Sequence, residues 1–326
     1  MQVTSKIIDW PLHQAFTIAR ETFTSIACIQ VTLRDARGHQ GRGEAVGVDY
    51  AGESTESMLA QIEAVRGQLS ANLSCAVLQS LLPAGGARNA LDCALWDLNA
   101  KRSGVPAWQT AGLESFTARP TSFTFGMMDE QLLRAAARKY AHFPLLKVKT
   151  DRHQGLDPAR IVHAEAPNAR LILDANTSWG AAELRRYAPE FERLNIVLLE
   201  QPVAPAADEI LRGLDLPVPV AADEAFNDRG SLPGLAGKYQ VLNIKLDKTG
   251  GLTEALASAR AGLEQGYRLM VGCMVGSSLS MAPGVVVAQL CDYVDLDGPL
   301  LQSRDVAHPL EYRDGTVGTP TTQLWG

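Results

Sequence analysis

The chain has 326 residues, enough for one large domain or two, and its 46% hydrophobic and 20% charged residues are ordinary for a globular protein. The formal net charge of −6, with no basic tract, argues against nucleic acid as a partner. The five cysteines form no CxxC pair, no apolar segment approaches membrane-spanning length and the N-terminus lacks a signal-peptide pattern, so we expect a cytoplasmic protein with reduced thiols and no membrane partner.

The first part of the chain reads as an α+β unit. Residues 26–33 predict a strand, residues 34–38 a turn, and a second strand runs to Val46, so the two strands should pair antiparallel. Helices are predicted over residues 54–69 and 87–103, and Gly104 and Pro106 end the second one. Two polar loops, at residues 18–24 and 48–53, are ordinary surface loops unless they cover a neighbouring site, in which case they would select a substrate.

From about residue 117 to residue 302 apolar runs alternate with helical patterns. Successive charged residues in these runs, from Lys147 through Asp174, Glu200 and Asp223 to Lys245, are spaced 22 to 27 residues apart. Regular βα units of this length predict parallel strands, and eight of them favour a closed TIM-like α/β barrel. No GxGxxG opens a helix after a strand, which weakens a dinucleotide-binding alternative. The apolar runs lie at residues 121–125, 145–149, 171–176, 196–201, 218–224, 241–245, 268–272 and 293–297.

The run at residues 145–149 carries two lysines one residue apart. Side chains two apart on a strand share a face, so Lys147 and Lys149 should stand side by side. Like charge lowers the pKa of each lysine, and a lysine with a lowered pKa can act as a general base. A lone pair of this kind is more often a solvated strand end, and only the downstream residues favour catalysis.

Three acids, Asp174, Glu200 and Asp223, end the next three runs. In a parallel barrel the working residues lie at the C-terminal ends of the strands, so these carboxylates can converge. Oxygen ligands without His or Cys favour Mg²⁺ over Zn²⁺. The alternative is that each acid caps the following helix or pairs with a lysine.

Barrel geometry places strands two and six on opposite sides, so Lys149 and Lys245 should face each other across the mouth. Asp295 and Asp297 end the eighth run, away from the proposed metal. Two opposed bases can remove a proton from one face of an acidified carbon and return it on the other, through an ene-diolate that a metal stabilises.

These residues carry a family resemblance. The segments KVK, DAN, LEQP, ADE, NIKLDKTGG and DLDGP resemble the enolase superfamily in its muconate-lactonizing-like branch, and more narrowly the dipeptide epimerases. The resemblance covers nearly the whole chain, and the DxD motif before Gly298 narrows the branch. It implies a (β/α)7β barrel of residues 117–302 with an α+β capping domain of residues 1–116, joined by the C-terminal tail of residues 303–326.

The resemblance also implies an activity: Mg²⁺-dependent interconversion of L-Ala-D-Glu and L-Ala-L-Glu, a reaction of murein-peptide recycling, with one Mg²⁺ per subunit. Lys149 and Lys245 would be the acid/base pair. The implied metal ligands are Asp174, Glu200 and Asp223. The implied substrate-binding residues are Lys147 at the substrate carboxylate, Asp295 and Asp297 at the α-ammonium, Arg20 at the glutamate side chain, and Thr124, Cys273 and Met274 in the pocket wall.

Other activities remain open at this point, the first of them another dipeptide epimerase specificity. The same lysines and metal could serve o-succinylbenzoate synthesis, N-acylamino acid racemisation or muconate cycloisomerisation, but a pair of aspartates suits a free ammonium. A metal-dependent hydrolase on this barrel normally has several histidine ligands, and an HxH on the first strand is absent. A non-catalytic barrel would be expected to have lost part of the lysine or carboxylate set. A homo-oligomer is compatible with the sequence.

Overall fold

The structure is a computed structural model that describes residues 1–18 and 21–326. Its N-terminal part is a three-stranded antiparallel sheet against which helices pack. The strands are β1 (Gln2–Thr17), β2 (Thr22–Arg34) and β3 (Gln40–Ala45), and the helices are α1 (Thr55–Val65), α2 (Cys75–Leu81), α3 (Gly86–Ser103) and α4 (Ala107–Thr110). The sequence pattern does not predict β1, because this edge strand is largely exposed and lacks a clear alternation of apolar residues. It also does not predict the short helix α2.

Helix α3 is the central element of this domain. A Cβ atom at Gly41 or Gly43 of β3 would overlap the backbone of α3, so only glycine allows the strand to pack this closely on the helix. Nearly all of α3 is buried, because its other face meets the barrel. The helix thus joins the two parts of the molecule.

The second part alternates strands and helices. A short strand, β4 (Arg119–Pro120), precedes the barrel. The barrel strands are β5 (Phe123–Phe125), β6 (Leu145–Lys149), β7 (Arg170–Asp174), β8 (Ile196–Glu200), β9 (Val220–Ala222), β10 (Val241–Ile244), β11 (Arg268–Val271) and β12 (Tyr293–Val294). The helices are α5 (Glu130–Lys139), α6 (Asp157–Glu165), α7 (Ala181–Tyr187), α8 (Leu232–Leu235), α9 (Leu246–Thr249), α10 (Leu252–Glu264), α11 (Ser278–Ala288) and α12 (Gly298–Leu301).

The eight strands form one parallel sheet in the order of the chain, from β5 to β12. The two end strands meet where the backbone N–H of Ser122 donates to the carbonyl of Val294 at 2.9 Å. The predicted barrel with an N-terminal α+β domain is therefore confirmed. Several strands are shorter than the predicted runs, because residues such as Asp223, Lys245 and Asp295 follow the last ladder position instead of occupying it.

The tail packs on both parts of the molecule. Strands β13 (Tyr312–Arg313) and β14 (Thr316–Val317) form a small sheet with β4. Trp325 is buried and donates from its indole to the carbonyl of Cys93 in α3 at 3.0 Å, while the N–H of Gly326 donates to Asp97. None of the helices in the described ranges is both long and apolar enough to cross a bilayer.

The N-terminal domain is attached at the C-terminal end of the barrel. The carboxylate of Asp247, just after β10, accepts hydrogen bonds from the backbone N–H groups of Val46 and Gly47, both at 3.0 Å. The guanidinium of Arg88 in α3 donates to the carbonyls of Thr249 and Gly250. These bonds place the loop after β3 over the barrel mouth.

Candidate active site

A cavity of about 430 Å³ lies between the N-terminal domain and the C-terminal ends of the barrel strands. Its volume is in the range of small-molecule sites. The N-terminal domain contributes apolar side chains, among them Phe16 and Phe23, and the loop at residues 46–50. Most of the predicted site residues line this one cavity: Thr124, Lys147, Lys149, Asp223, Lys245, Cys273, Met274, Asp295 and Asp297.

Side chains alternate between the two faces of each strand, and this alternation places the site residues in the barrel interior. Seven strands each place one side chain in a closed layer near the bottom of the barrel: Leu145, Ile172, Leu198, Ala221, Val241, Met270 and Tyr293. Two residues later, on the same face, six of these strands carry a polar residue: Lys147, Asp174, Glu200, Asp223, Asn243 and Asp295. The apolar layer therefore forms the floor on which the polar site is built.

Lys147 lies at the centre of this polar layer. Its ammonium is 2.9 Å from Asp295 Oδ2, 2.8 Å from Glu200 Oε2 and 3.2 Å from Asp174 Oδ2. Burial by itself would lower the pKa of Lys147, but the three carboxylates hold it well above its usual value. We expected the two lysines of β6 to lower each other's pKa, and for Lys147 that expectation is wrong because the neighbouring carboxylates outweigh the second lysine.

The two lysines predicted as bases each pair with a different acid. Lys149 Nζ lies 2.6 Å from Asp174 Oδ2, and Lys245 Nζ lies 2.7 Å from Asp223 Oδ2. Against the effect of burial, Asp223 raises the pKa of Lys245 well above its usual value. Because β6 and β10 are four places apart in the ring of eight strands, Lys149 and Lys245 approach the cavity from opposite sides.

The two aspartates after β12 have different surroundings. Asp295 accepts hydrogen bonds from the hydroxyls of Ser122 at 2.6 Å and Thr124 at 3.2 Å, besides its ion pair with Lys147. Asp297 accepts one from the backbone N–H of Thr124 at 2.6 Å. Burial and the nearby charge of Asp295 raise the pKa of Asp297 to about 7. For Asp295, burial acts to raise the pKa, but the charge of Lys147 and the hydrogen bond from Ser122 outweigh burial and lower it.

The acids predicted as metal ligands form one ion-pair network. Among the described residues no three His, Cys, Asp or Glu side chains converge as a metal site does, because Asp174, Glu200 and Asp223 each direct an oxygen toward a lysine. This is the lysine pairing that the sequence left open as the alternative. Burial, helped by the charge of Asp174, raises the pKa of Glu200 to about 8.

The donor set nevertheless fits Mg²⁺. Asp174 and Glu200 pair in register at the ends of adjacent strands, Asp223 directly follows the end of the next strand, and all three carboxylates are buried. Six carboxyl groups (the three acids with Glu224, Asp295 and Asp297) meet four lysines (Lys147, Lys149, Lys245 and Lys248), and the pKa values of Glu200 and Asp297 are raised, first by burial and then by a neighbouring aspartate. A divalent cation bound by these oxygens would favour the ionised form of the acids.

Several contributors were not identified from the sequence. Lys248 is fully buried and places its ammonium 2.7 Å from Asp223 Oδ1, and Asn243 donates to Glu200 Oε1 at 2.9 Å. Ser122 could have been found, since it lies two residues before Thr124 in the same predicted run, residues 121–125, where alternate side chains share a face. Burial and the nearby aspartates raise the pKa of the Cys273 thiol, so this residue is a wall residue and not a nucleophile. Arg20 lies outside the described residues.

Comparisons with known proteins extend over both domains. Residues 128–323 match the family model described as "Enolase C-terminal domain-like", and residues 2–112 match "Mandelate racemase / muconate lactonizing enzyme, N-terminal domain". The chain belongs to the enolase superfamily. The predicted family resemblance is thereby confirmed.

Two curated relatives of this superfamily member are isomerases. The L-Ala-D/L-Glu epimerase of Escherichia coli is 39% identical over 321 residues, covering 96% of this chain and 99% of the relative. The N-acetyl-D-glutamate racemase of a Pseudoalteromonas species is 40% identical over 288 residues, covering 87% and 91%. The chain is accordingly an enzyme of the isomerase class.

Two solved structures extend the comparison. An enolase family member from Agrobacterium tumefaciens with homology to dipeptide epimerases, crystallised with sodium and L-Ala-L-Glu, is 39% identical, with a TM-score of 0.96 and 99% of each chain covered. A dipeptide epimerase from Methylococcus capsulatus with Mg and L-Arg-D-Lys is 30% identical, with a TM-score of 0.87, covering 98% of this chain and 96% of that one.

Proposed function

We propose that this enzyme is a dipeptide epimerase that interconverts L-Ala-D-Glu and L-Ala-L-Glu. The observation that carries the proposal is the pair of lysines, Lys149 and Lys245, which enter one cavity from opposite sides of a closed barrel. A carbon held between them can lose a proton to one lysine, as the neutral amine, and gain one from the other, as the ammonium. The E. coli and A. tumefaciens relatives support the choice of L-Ala-Glu as the substrate.

The proton transfer is balanced between the two lysines. When Lys149 is the neutral amine, it takes the α-proton of the C-terminal residue, and the electron pair of the broken C–H bond delocalises into the adjacent carboxylate as an ene-diolate. Lys245, as the ammonium, then delivers a proton to the opposite face. The reverse reaction exchanges the two roles. Lys147 would hold the substrate carboxylate, which requires it to share its ammonium with the acids that now surround it.

We propose that Asp174, Glu200 and Asp223 hold one Mg²⁺ per subunit. When bound, Mg²⁺ supplies electrostatic stabilisation of the negative charge that develops on the substrate carboxylate. Asp297, with Asp295 beside it, would bind the α-ammonium of the dipeptide, and Arg20 would meet the glutamate side chain. Thr124, Cys273 and Met274 would form part of the wall.

The wider setting is also a proposal. A role in murein-peptide recycling in the cytoplasm is supported by the relatives that act on L-Ala-Glu and by five cysteines that are all free. We propose a capping domain of residues 1–116, joined by residues 303–326, over a barrel of residues 117–302.

A second candidate is racemisation of N-acetylglutamate, favoured by the racemase that is 40% identical. The two substrates differ in one chemical feature that the site can sense. A free dipeptide presents an ammonium, whereas an N-acetyl amino acid presents a neutral amide at that end. Buried aspartates near the cavity wall suit the ammonium.

The test is α-proton exchange in D₂O with Mg²⁺, read by mass spectrometry and chiral chromatography for L-Ala-L-Glu, L-Ala-D-Glu and N-acetyl-L-glutamate. We expect both dipeptides to gain deuterium and interconvert, and N-acetyl-L-glutamate to react far more slowly. Lys149→Ala and Lys245→Ala should each abolish epimerisation while retaining exchange of the one isomer that faces the remaining lysine. Lys139→Ala, on the exposed side of α5, is the matched control. Near wild-type epimerisation by both active-site variants would exclude the two-base assignment.

A further inference from the structure

Gln201 directly follows Glu200 and has a completely used side-chain amide. Its Oε1 accepts hydrogen bonds from the backbone N–H groups of Asp223 at 2.8 Å and Ala225 at 3.0 Å. Its Nε2 donates to the carbonyl of Val203 at 2.9 Å and to the hydroxyl of Tyr239 at 2.8 Å. The residue is fully buried and does not line the cavity, so it does not touch substrate.

The backbone of Gln201 also forms hydrogen bonds to the segments on either side of it in the barrel. Its φ of 32° is in the left-handed region, which is strained for a non-glycine residue and persists only where the surroundings impose it. Its N–H donates to the carbonyl of Ala221 at 2.9 Å, and its carbonyl accepts from Thr177 N–H at 2.8 Å. Gln201 therefore ties together the segments that follow β7, β8 and β9, beside Asp174, Glu200 and Asp223.

A buried chain of polar groups supports the amide from outside the site. The hydroxyl of Tyr239, which accepts from Gln201, donates in turn to Asp208 Oδ2 at 3.1 Å. Asp208 Oδ1 pairs with the ammonium of Lys238 at 2.6 Å. Each of these three side chains is almost fully buried, so the position of the Gln201 amide is determined by the fold and not by solvent.

We propose that Gln201 is a positioning residue for the magnesium site. Gln201 directly follows Glu200 and its side chain binds the backbone of Asp223, so it sets the distance between these two acids. The inference rests on the proposed ligand set of Asp174, Glu200 and Asp223. Gln201 carries no charge, so its effect on a cation is purely geometric. Groups that orient metal ligands typically change metal affinity by 10- to 100-fold when removed.

The experiment is Mg²⁺ titration by isothermal calorimetry of the EDTA-dialysed enzyme and of two uncharged variants. Gln201→Met keeps the size of the side chain but removes all four hydrogen bonds, and we expect its Kd for Mg²⁺ to rise at least about tenfold. Tyr239→Phe removes only the outer support and should raise the Kd by about threefold, a smaller effect in the same direction, since one of the four bonds is lost. At saturating Mg²⁺ both variants should recover most of the wild-type kcat, a split that general loss of stability does not produce.

Asn195 provides a matched control at the opposite end of β8. It also has a left-handed backbone, with φ of 54°, and its amide donates to the carbonyl of Ala169 at 2.8 Å. Asn195→Ala should lower the melting temperature and leave the Kd for Mg²⁺ unchanged. If the wild type binds Mg²⁺ and the Kd is unchanged in both Gln201→Met and Tyr239→Phe, the role of Gln201 is overturned while the metal site stands. If Gln201→Met does not fold, Tyr239→Phe decides by itself. A wild type that binds no Mg²⁺ would instead overturn the metal site and this role with it.

Discussion

Asp295 and Asp297 lie two residues apart but have different partners. Both oxygens of Asp295 are engaged, one by two hydroxyls and the other by the ammonium of Lys147. Asp297 accepts the backbone N–H of Thr124 on Oδ2. We infer that Asp295 mainly compensates the charge of Lys147, and that Asp297 is the carboxylate with capacity left for a substrate ammonium.

Replacing Asp297 tests this division. Asp297→Asn should lower kcat/KM for L-Ala-L-Glu at least tenfold, since a charge-assisted hydrogen bond is worth about 1.5–3 kcal/mol. Its small rate on N-acetyl-L-glutamate should stay the same, because that substrate has no ammonium. Asp292→Asn, exposed just before β12, is the control. An equal loss on both substrates would argue against ammonium binding.

Gly272, at the end of β11, provides the space for Lys245. A Cβ atom there would lie 2.6 Å from Asn243 Oδ1 and 3.1 Å from Lys245 Cε. Gly272→Ala should therefore displace the lysine and lower kcat at least tenfold, because small displacements of a catalytic group are costly. Exchange of the isomer that faces Lys149 should suffer less, which deuterium incorporation into each isomer will measure. Gly234→Ala, where the added atom meets open space, should have no effect, and equal losses for both isomers would contradict the assignment.

At the scale of elements, α3 and α10 are joined by a buried carboxylate. Asp92 in α3 accepts hydrogen bonds from the backbone N–H of Thr253 at 2.9 Å and from its hydroxyl at 2.7 Å. Burial raises the pKa of Asp92 to about 6, although Thr253 and the guanidinium of Arg88 oppose the shift. The junction between the domains thus contains an acid that is costly to ionise.

This shift makes the stability of the junction depend on pH. Because the pKa of Asp92 is higher in the folded than in the unfolded chain, the folded state binds the proton more tightly. Its contribution to stability is greatest below about pH 4 and falls as the pH rises to about 6, by up to about 3 kcal/mol. Asp92→Asn does not ionise, so its urea midpoint relative to wild type should increase between pH 4 and pH 7. A difference that is constant with pH would contradict this account.

At the scale of the whole molecule, the barrel brings many charged side chains together in its interior. Acids and lysines from strands β6 to β12 meet on an apolar floor, and the acids exceed the lysines by two. Closure of the barrel buries most of these groups, which raises the pKa of Glu200 and of Asp297. A cation that binds only the folded chain should stabilise the entire fold.

Mg²⁺ should therefore raise the melting temperature of the EDTA-dialysed protein and restore the activity that dialysis removes. At a hundredfold excess over Kd the gain is about 2.7 kcal/mol, which corresponds to several degrees. Tetramethylammonium chloride at equal ionic strength controls for screening, and Asp223→Asn should reduce the Mg²⁺ effect. Full activity after exhaustive EDTA dialysis would exclude the metal requirement.

The amino-acid sequence by itself determines which side chains face the barrel interior. Alternation along each strand aligns Leu145 with Lys147 and Ile172 with Asp174, and the regular βα spacing predicts that such strands close into a ring. The positions of Lys149, Lys245 and the strand-end acids in one site follow from this local periodicity. The pattern does not predict strand β1, because this exposed edge strand lacks a regular alternation of apolar side chains.

Only the tertiary structure decides which of these groups touch. Lys147 meets Asp295 across 148 positions of sequence, because closure of the barrel brings β6 and β12 around the same centre. The competition of one ammonium for three carboxylates depends on distances of a few tenths of an ångström, and these are set by packing of the complete ring. The tie from Gln201 to Asp223 and the hold of Asp247 on the N-terminal domain have the same origin. Periodicity gives the direction of a side chain, whereas its partner depends on elements that the chain brings together only on folding.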